Sequence, residues 1–206
     1  MSGLLGKKIG MTRIFDNEGN VIPVTIVEAG PCYVTQIKTK ETDGYDAVQL
    51  GFGIKKEKNV SKPLIGHLKK ANVKPTQRLK EFEPFQDREL KIGDEIKADV
   101  FKPGDVIKVT GFGKGKGFTG VVKRHHFRGG PVTHGQSDRL RAPGSLGQSS
   151  DPSRVYKGLR MAGRVGNKQV SVKNLTVVVV DVEKNLLFIE GAVPGARNSF
   201  VEIYSA

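Results

Sequence analysis

Cationic side chains and glycines that could bind phosphate are concentrated in one tract of this 206-residue chain. Residues 111–170 hold 12 Lys or Arg, two carboxylates (Asp138 and Asp151) and 13 of the 26 glycines, whereas the other 146 residues hold 22 basic and 19 acidic groups. By subtraction, the tract carries about +10 of the formal +13 net charge. Such a local field attracts a polyanion, and glycine lets the backbone approach phosphates closely. We therefore expect the ligand to be nucleic acid.

The side chains of this tract indicate folded RNA more than duplex DNA. A planar guanidinium can hold two phosphate oxygens, and an imidazole can hydrogen-bond to a base or stack on it. Glycine and proline interrupt the arginine spacing, so no continuous helical reading face for a regular major groove is expected. The predicted RNA-binding residues are Lys114, Lys116, Lys123, Arg124, His125, His126, Arg128, His134, Arg139, Arg141, Arg154, Lys157, Arg160, Arg164 and Lys168.

Three aromatic residues in the tract have two open interpretations. Phe118, Phe127 and Tyr156 could stack on unpaired bases, as aromatic side chains do in proteins that bind irregular or single-stranded RNA. Alternatively, Phe127 or Tyr156 could anchor the base of the tract to the rest of the protein.

The same tract contains a glycine pattern that resembles a dinucleotide-binding loop. Gly115, Gly117 and Gly120 satisfy G-x-G-x-x-G after a predicted strand. However, residues 127–131 (Phe-Arg-Gly-Gly-Pro) interrupt the helix that should receive the pyrophosphate, and no βαβ pattern surrounds them. A nucleotide-dependent enzyme is therefore an alternative that the context disfavours.

Metal and hydrolase chemistry also lack support from their surroundings. The adjacent pair His125 and His126 cannot readily aim both rings at one ion, and no helix orients them with His134 or Asp138. Ser145 follows Pro143-Gly144, so the first glycine of a G-x-S-x-G nucleophile elbow is missing. We predict no enzymatic activity, no catalytic residue, no metal and no cofactor.

The elements that position this tract are predicted to be mainly β. Of the tract, 16 of 60 residues are apolar, against 60 of the remaining 146, so the core is expected outside it. Short β-branched segments separated by turn residues favour a small closed antiparallel barrel. Strands are predicted at residues 21–28, 33–38, 47–52, 95–101, 106–110, 170–180, 186–190 and 200–204.

The predicted barrel domain comprises residues 1–110 and 170–206, with a partly helical insertion at about 55–95. In that insertion Ser61 is a candidate N-cap, Pro63 lies in the first turn, and Leu64 and Leu68 have helical spacing. Residues 111–169 are predicted to form an extended RNA-binding arm, because a long loop costs a barrel little closure entropy.

The remaining signals bound the cellular setting. Cys32 is the only cysteine, which excludes an intramolecular disulfide, and we interpret it as a half-buried strand residue. The N-terminus has too short an apolar stretch for a signal peptide, and no aliphatic run is long enough to cross a bilayer. We expect a soluble cytoplasmic protein with no membrane partner.

Several motifs along nearly the whole chain carry a family resemblance. They are Gly6-Lys7-Lys8-Ile9-Gly10-Met11-Thr12, Asp43-Gly44-Tyr45, Phe101-Lys102-Pro103-Gly104-Asp105, Lys114-Gly115-Lys116-Gly117-Phe118, Gly129-Gly130-Pro131, Pro143-Gly144-Ser145 with Gly147, Met161-Ala162-Gly163 and Gly191-Ala192-Val193-Pro194-Gly195. With these motifs the chain resembles the universal L-three family of large-subunit ribosomal proteins. Leu140 departs from the pattern, since relatives often have histidine there.

The resemblance implies a barrel of the translation-protein type and an arm that extends through ribosomal RNA toward the peptidyl transferase centre. It also implies binding near the 3′ end of the large-subunit RNA, an early role in subunit assembly, and neighbours from the L-fourteen and L-nineteen families. In some bacterial members the glutamine at the position of Gln148 is methylated, so a glutamine methyltransferase is a further implied partner. A free RNA chaperone or regulator with the same basic arm remains an alternative.

Overall fold

The computed structural model describes residues 3–85, 88 and 90–205. The strands of this part of the chain are β1 (Gly3–Phe15), β2 (Val21–Ala29), β3 (Cys32–Lys38), β4 (Ala47–Ile54), β5 (Thr76–Phe82), β6 (Glu95–Ile96), β7 (Val106–Phe112), β8 (Gly117–Thr119), β9 (Gly163–Val165), β10 (Gln169–Asp181), β11 (Leu186–Glu190) and β12 (Phe200–Ser205). The α-helices are α1 (Lys40–Asp43), α2 (Lys62–Lys70) and α3 (Val121–His125), with 3-10 turns at Glu57–Asn59 and Ala98–Val100. None of the helices in the described residues is both long enough and apolar enough to cross a membrane.

The chain divides into two compact units, which we call the barrel unit (Met1–Gly113 with Gln169–Ala206) and the arm unit (Lys114–Lys168). In the barrel unit, a closed antiparallel barrel has the strand order β1-β12-β7-β10-β11-β2. Alternate residues of these strands point inward: Ile203 of β12 lies opposite Val109 of β7, and Leu187 of β11 lies opposite Val27 of β2. All four are fully buried, so the period-two pattern of the sequence builds the barrel interior.

A second antiparallel sheet with the order β5-β4-β3-β6 belongs to the same unit and shares its hydrophobic core. Two aromatic contacts join the sheets: Phe52 meets Phe200 edge-on at 6.0 Å between ring centroids, and Phe82 meets Tyr204 at 5.3 Å. Gly3 is required at this junction, because a Cβ there would overlap the carbonyl oxygen of Ile203 and the ring of Phe82. The core cluster contains no described residue of the arm unit.

The mainly β fold and the closed antiparallel barrel are confirmed, as is the helix after Ser61. Other expectations are wrong in part. The predicted strand 95–101 is only two residues long (β6) before the 3-10 turn Ala98–Val100, and Ser61 occupies the N-cap position without a side-chain cap hydrogen bond. Cys32 is fully rather than half buried, since its thiol donates to the Leu5 carbonyl at 3.3 Å inside the core.

Three features of the fold have no counterpart in the sequence prediction. The consecutive strands β2 and β3 lie in different sheets, β1 is a 13-residue strand, and β5 occupies the insertion that was expected to be partly helical. Residues 86, 87 and 89 of that insertion, and residues 1, 2 and 206 of the predicted barrel domain, lie outside the described residues.

Candidate nucleic-acid interface

A short two-stranded ladder closes the base of the arm unit. β8 pairs antiparallel with β9, with Gly117 opposite Val165 and Phe118 opposite Arg164, and the Lys116 N–H donates to the Val165 carbonyl at 2.9 Å. Gly166 has φ of +74°, and a Cβ there would overlap the Lys114 carbonyl oxygen. The ladder therefore brings the outgoing segment with Lys114 and Lys116 beside the returning segment with Arg164 and Lys168.

The helix α3 follows this ladder and is braced against the returning chain. The Arg124 Nη1 donates to the Met161 carbonyl at 2.9 Å, and the His125 Nε2 lies 3.1 Å from the same oxygen. Because a carbonyl can only accept, that imidazole contact requires a proton on Nε2. A Cβ at Gly163 would overlap the Arg124 guanidinium, so glycine makes room for the brace. Arg124 and His125 are half-buried, and part of their function is to hold the arm's shape.

The chain then turns back on itself between Gly129 and Ala142. The Gly130 N–H donates to the Leu140 carbonyl at 2.9 Å, and the Ala142 N–H lies 3.4 Å from the Arg139 carbonyl. Gly129 has φ of +78°, and a Cβ on it would overlap the Leu140 carbonyl oxygen. This bend leaves four predicted RNA-binding side chains exposed, namely Arg128, His134, Arg139 and Arg141.

Local turns shape the segment from Pro143 to Arg160. The Ser145 hydroxyl donates to the Gly147 carbonyl at 2.9 Å, so its proton is held within the turn. Gln148 directly after this turn is exposed. Further along, the Arg154 guanidinium lies 5.6 Å from the centroid of the Tyr156 ring, which is a cation–π distance. The segment therefore presents a cation and an aromatic face together.

The electrostatics of the arm unit are one-sided. Its 55 residues contain all 12 basic residues of the tract and both carboxylates. In the described part of the chain, none of these cations forms an ion pair, whereas the barrel unit pairs Lys38 with Glu81 at 2.8 Å and Lys80 with Glu202 at 3.4 Å. The field of the arm unit is thus left without compensation by the protein's own carboxylates.

Thirteen of the fifteen predicted RNA-binding residues are exposed, and Arg124 and His125 are the half-buried pair. Phe127 is half-buried with its ring 6.0 Å from that of His125, while Phe118 is 79% exposed. Sequence reasoning missed Val132, which is 78% exposed in a polar tract. Its signal was an isolated apolar residue without helical or strand periodicity. The described residues contain no group of His, Cys, Asp or Glu able to hold a metal ion.

The glycine pattern of a dinucleotide loop has a different structural role here. Gly117 begins β8, and Gly120 precedes α3, which ends after five residues at His125. His126 follows in the left-handed region with φ of 59°. This one-turn helix lacks the long N-terminal helix that receives a pyrophosphate in dinucleotide-binding folds.

Comparison with known proteins gives a consistent result. The family model described as Ribosomal protein L3 matches residues 67–183. The chain is 57% identical to the large ribosomal subunit protein uL3 of Chloroherpeton thalassium over 208 residues, covering 100% of both chains. It is 57% identical to the protein of the same name from Chlorobaculum tepidum, covering 100% of this chain and 99% of the relative. For the uL3 protein of Herpetosiphon aurantiacus the identity is 52%, with 100% and 97% covered.

Proposed function

Because the chain belongs to the ribosomal protein L3 family, we propose that it binds large-subunit ribosomal RNA through the exposed cations of its arm unit. The family is structural and non-enzymatic, and the chain is accordingly a structural protein of the large subunit of the bacterial cytoplasmic ribosome. The observation that carries the proposal is the unpaired charge of the arm unit, with 12 basic residues against two carboxylates.

The mechanism is charge neutralisation combined with a defined backbone path. Folding RNA brings phosphates together, and the cations of a bound protein replace counterions that would otherwise be condensed there. In the arm unit, glycine at positions 129, 163 and 166 permits close packing of the chain on itself, so cations distant in sequence are held on one small scaffold. Exposed Phe118 and Tyr156 add stacking surfaces for unpaired bases.

The salt dependence of binding tests this mechanism. If ~10 arm cations contact phosphates, log affinity for ribosomal RNA falls with log salt at a slope of roughly −7 to −9. The measurement is a titration of large-subunit RNA across a salt series. A slope near zero contradicts the mechanism, and saturable binding of a mononucleotide would instead favour the enzyme alternative.

We further propose where and when the protein binds, on the strength of its family membership. It binds near the 3′ end of the large-subunit RNA, nucleates early assembly, extends its arm toward the peptidyl transferase centre, and neighbours proteins of the L-fourteen and L-nineteen families. Binding to separate 5′ and 3′ fragments of the RNA tests the first point, and tighter binding to a 5′ fragment contradicts it. Comigration with the large subunit after a high-salt wash distinguishes a resident protein from a free chaperone, which is released at modest salt.

Gln148 is the proposed site of side-chain methylation by a glutamine methyltransferase. Its exposure directly after the Ser145 turn leaves the amide accessible to an enzyme. Mass spectrometry of the peptide containing Gln148 from the cellular protein should show one added methyl group, which a Gln148→Ala variant lacks. An unmodified peptide in the native protein contradicts this proposal.

A further inference from the structure

One sheet edge of the barrel unit has no neighbouring strand. β1 pairs with β12 only over Gly3–Lys7, and Lys8 continues this side by hydrogen bonds to Asn198 and Ser199. Beyond it, within the described residues, β1 pairs only with β2, in register from Gly10 opposite Ile26 to Phe15 opposite Val21. Residues 9–15 therefore form a free edge seven residues long.

The register identifies the backbone groups on this edge. Pro23 lies opposite Arg13, has no N–H, and directs its carbonyl away from β1 to accept from Gly191 at 2.8 Å. Arg13 is therefore in a non-hydrogen-bonded pair, and in an antiparallel ladder such pairs alternate with bonded ones. The Asp16 N–H, which donates to Asn20 at 2.9 Å, fits the bonded set. It follows that the N–H and C=O groups of Met11, Arg13 and Phe15 point outward.

The side chains along this edge are apolar and uncovered. Met11 and Phe15 are 52% and 67% exposed on the same face, beside Val21 of β2. Proteins usually protect a free edge with lysines, prolines or a short strand, because unpaired backbone groups beside apolar side chains recruit another chain. Here the edge carries one charge, Arg13, and its bulge at Ile9 lies at the start of the edge rather than within it.

Charge decides which class of partner fits. Residues 9–25 contain one basic side chain (Arg13) and two acidic ones (Asp16 and Glu18), so this hairpin has a formal charge of −1 where the arm has about +10. A polyanion is not attracted to such a surface, whereas a basic polypeptide is. We propose that the free edge of β1 at residues 9–15 pairs with an extended, basic, apolar-alternating strand of a neighbouring protein, which adds to the barrel by β-augmentation.

This inference rests on the proposed place of the chain in the large subunit, and photo-crosslinking in intact subunits separates the two. Large subunits are purified from cells that make the chain with Phe15→benzoylphenylalanine or, as a matched control, Phe118→benzoylphenylalanine. We expect the position-15 chain to link to another protein, in a product that resists ribonuclease, and the position-118 chain to link to RNA. Links from position 15 to RNA, to a second copy of this chain or to nothing overturn the inference. Absence of the RNA link from position 118 counts against the proposed function instead.

A backbone variant tests strand pairing itself. Arg13→Pro removes an outward-facing N–H without breaking a hydrogen bond inside the hairpin, and Arg13→Ala removes the same charge while keeping that N–H. With the crosslinker at position 15, the protein link in Arg13→Pro subunits should be about fivefold weaker than in Arg13→Ala subunits, the effect of one lost backbone hydrogen bond. Equal yields overturn strand pairing, and thermal unfolding of the isolated chains shows that both variants fold.

Discussion

The barrel unit and the arm unit treat charge in opposite ways. In the barrel unit the Lys38 ammonium bonds the Glu81 carboxylate at 2.8 Å and the Tyr45 hydroxyl at 2.6 Å. The hydrogen bond from Glu81 raises the pKa of Lys38, and the same contact lowers the pKa of Glu81. In the described arm unit, by contrast, no cation has a carboxylate partner within ion-pair distance.

The two units also differ in what determines their shape. Burial defines the barrel, where residues such as Leu4, Ile107 and Ile203 are fully enclosed. In the described arm unit only Thr119 and Val121 are buried, and its path depends on glycines and on single hydrogen bonds such as Arg124 to Met161. The comparison teaches that hydrophobic burial is sufficient to specify the first unit, whereas the second has an unsatisfied electrostatic field that RNA would complete.

Removing the arm should give the largest effect and separates the two units directly. Replacing Lys114–Lys168 with a short Gly-Ser linker keeps the pairing of Phe112 with Gln169, so β7 and β10 stay joined. RNA affinity should fall by about 10³-fold or more at low salt, and most of the salt slope should disappear, because ~10 phosphate contacts are lost. Salt titrations measure the slope and thermal unfolding checks the barrel. An unfolded product would show that the arm belongs to the folding core.

Sequence patterns predicted the fold well where contacts are local or periodic. Strands such as β7 and β12 show period-two burial, and α2 combines Pro63 in its first turn with apolar residues at helical spacing. The pattern failed for β1, because Gly3 and Gly6 look like strand breakers. Both are required by close approach, since a Cβ on Gly6 would lie 2.8 Å from the Glu28 carbonyl oxygen. That neighbour is 22 residues away and becomes visible only in the folded chain.

The candidate site was predictable in composition and not in geometry. The charge density of residues 111–170 identified the cations that the structure leaves exposed, and their contact with RNA stays a prediction. The bracing of Arg124 and His125 by the Met161 carbonyl was not predictable, because it depends on how a segment more than 30 residues later returns. Likewise, alternation shows that β2 and β3 are strands but not that they join different sheets.

A core truncation sharpens the comparison from the barrel side. Ile203 is fully buried, so Ile203→Ala should lower the free energy of unfolding by about 2–5 kcal/mol through lost burial and the cavity left behind. The matched arm variant, Val132→Ala, removes an exposed side chain and should change it by less than about 0.5 kcal/mol. Urea denaturation measures both values. Similar losses would mean that the arm contributes to the same cooperative core.

Two exposed phenylalanines test whether the units bind different partners. Phe118→Ala should weaken RNA binding by ~1–3 kcal/mol, the range for losing one base-stacking side chain, without changing the unfolding transition. Phe15→Ala removes a comparably exposed ring from the barrel unit and should leave RNA affinity unchanged. Filter binding at fixed salt compares the two variants. An equal loss for Phe15→Ala would place RNA on both units and would blur the distinction.

The smallest effect concerns a charge that the barrel interior excludes. Burial raises the pKa of the Cys32 thiol from 9.0 to about 12, although its hydrogen bond to Leu5 opposes the shift. Between these pH values the folded state retains a proton that the unfolded state loses, so this contribution is complete below pH 9 and declines as the pH rises toward 12.

From pH 8 to pH 10 the protein should therefore lose about 1 kcal/mol more unfolding free energy than a Cys32→Ala variant, which has no thiol to titrate. Urea denaturation at the two pH values measures this difference. Other titrating groups, such as Tyr33 and Tyr204, act equally in both proteins and cancel. An identical pH dependence for the two proteins would show that the thiol can ionise without cost, and that the barrel interior excludes charge less strictly than its burial implies.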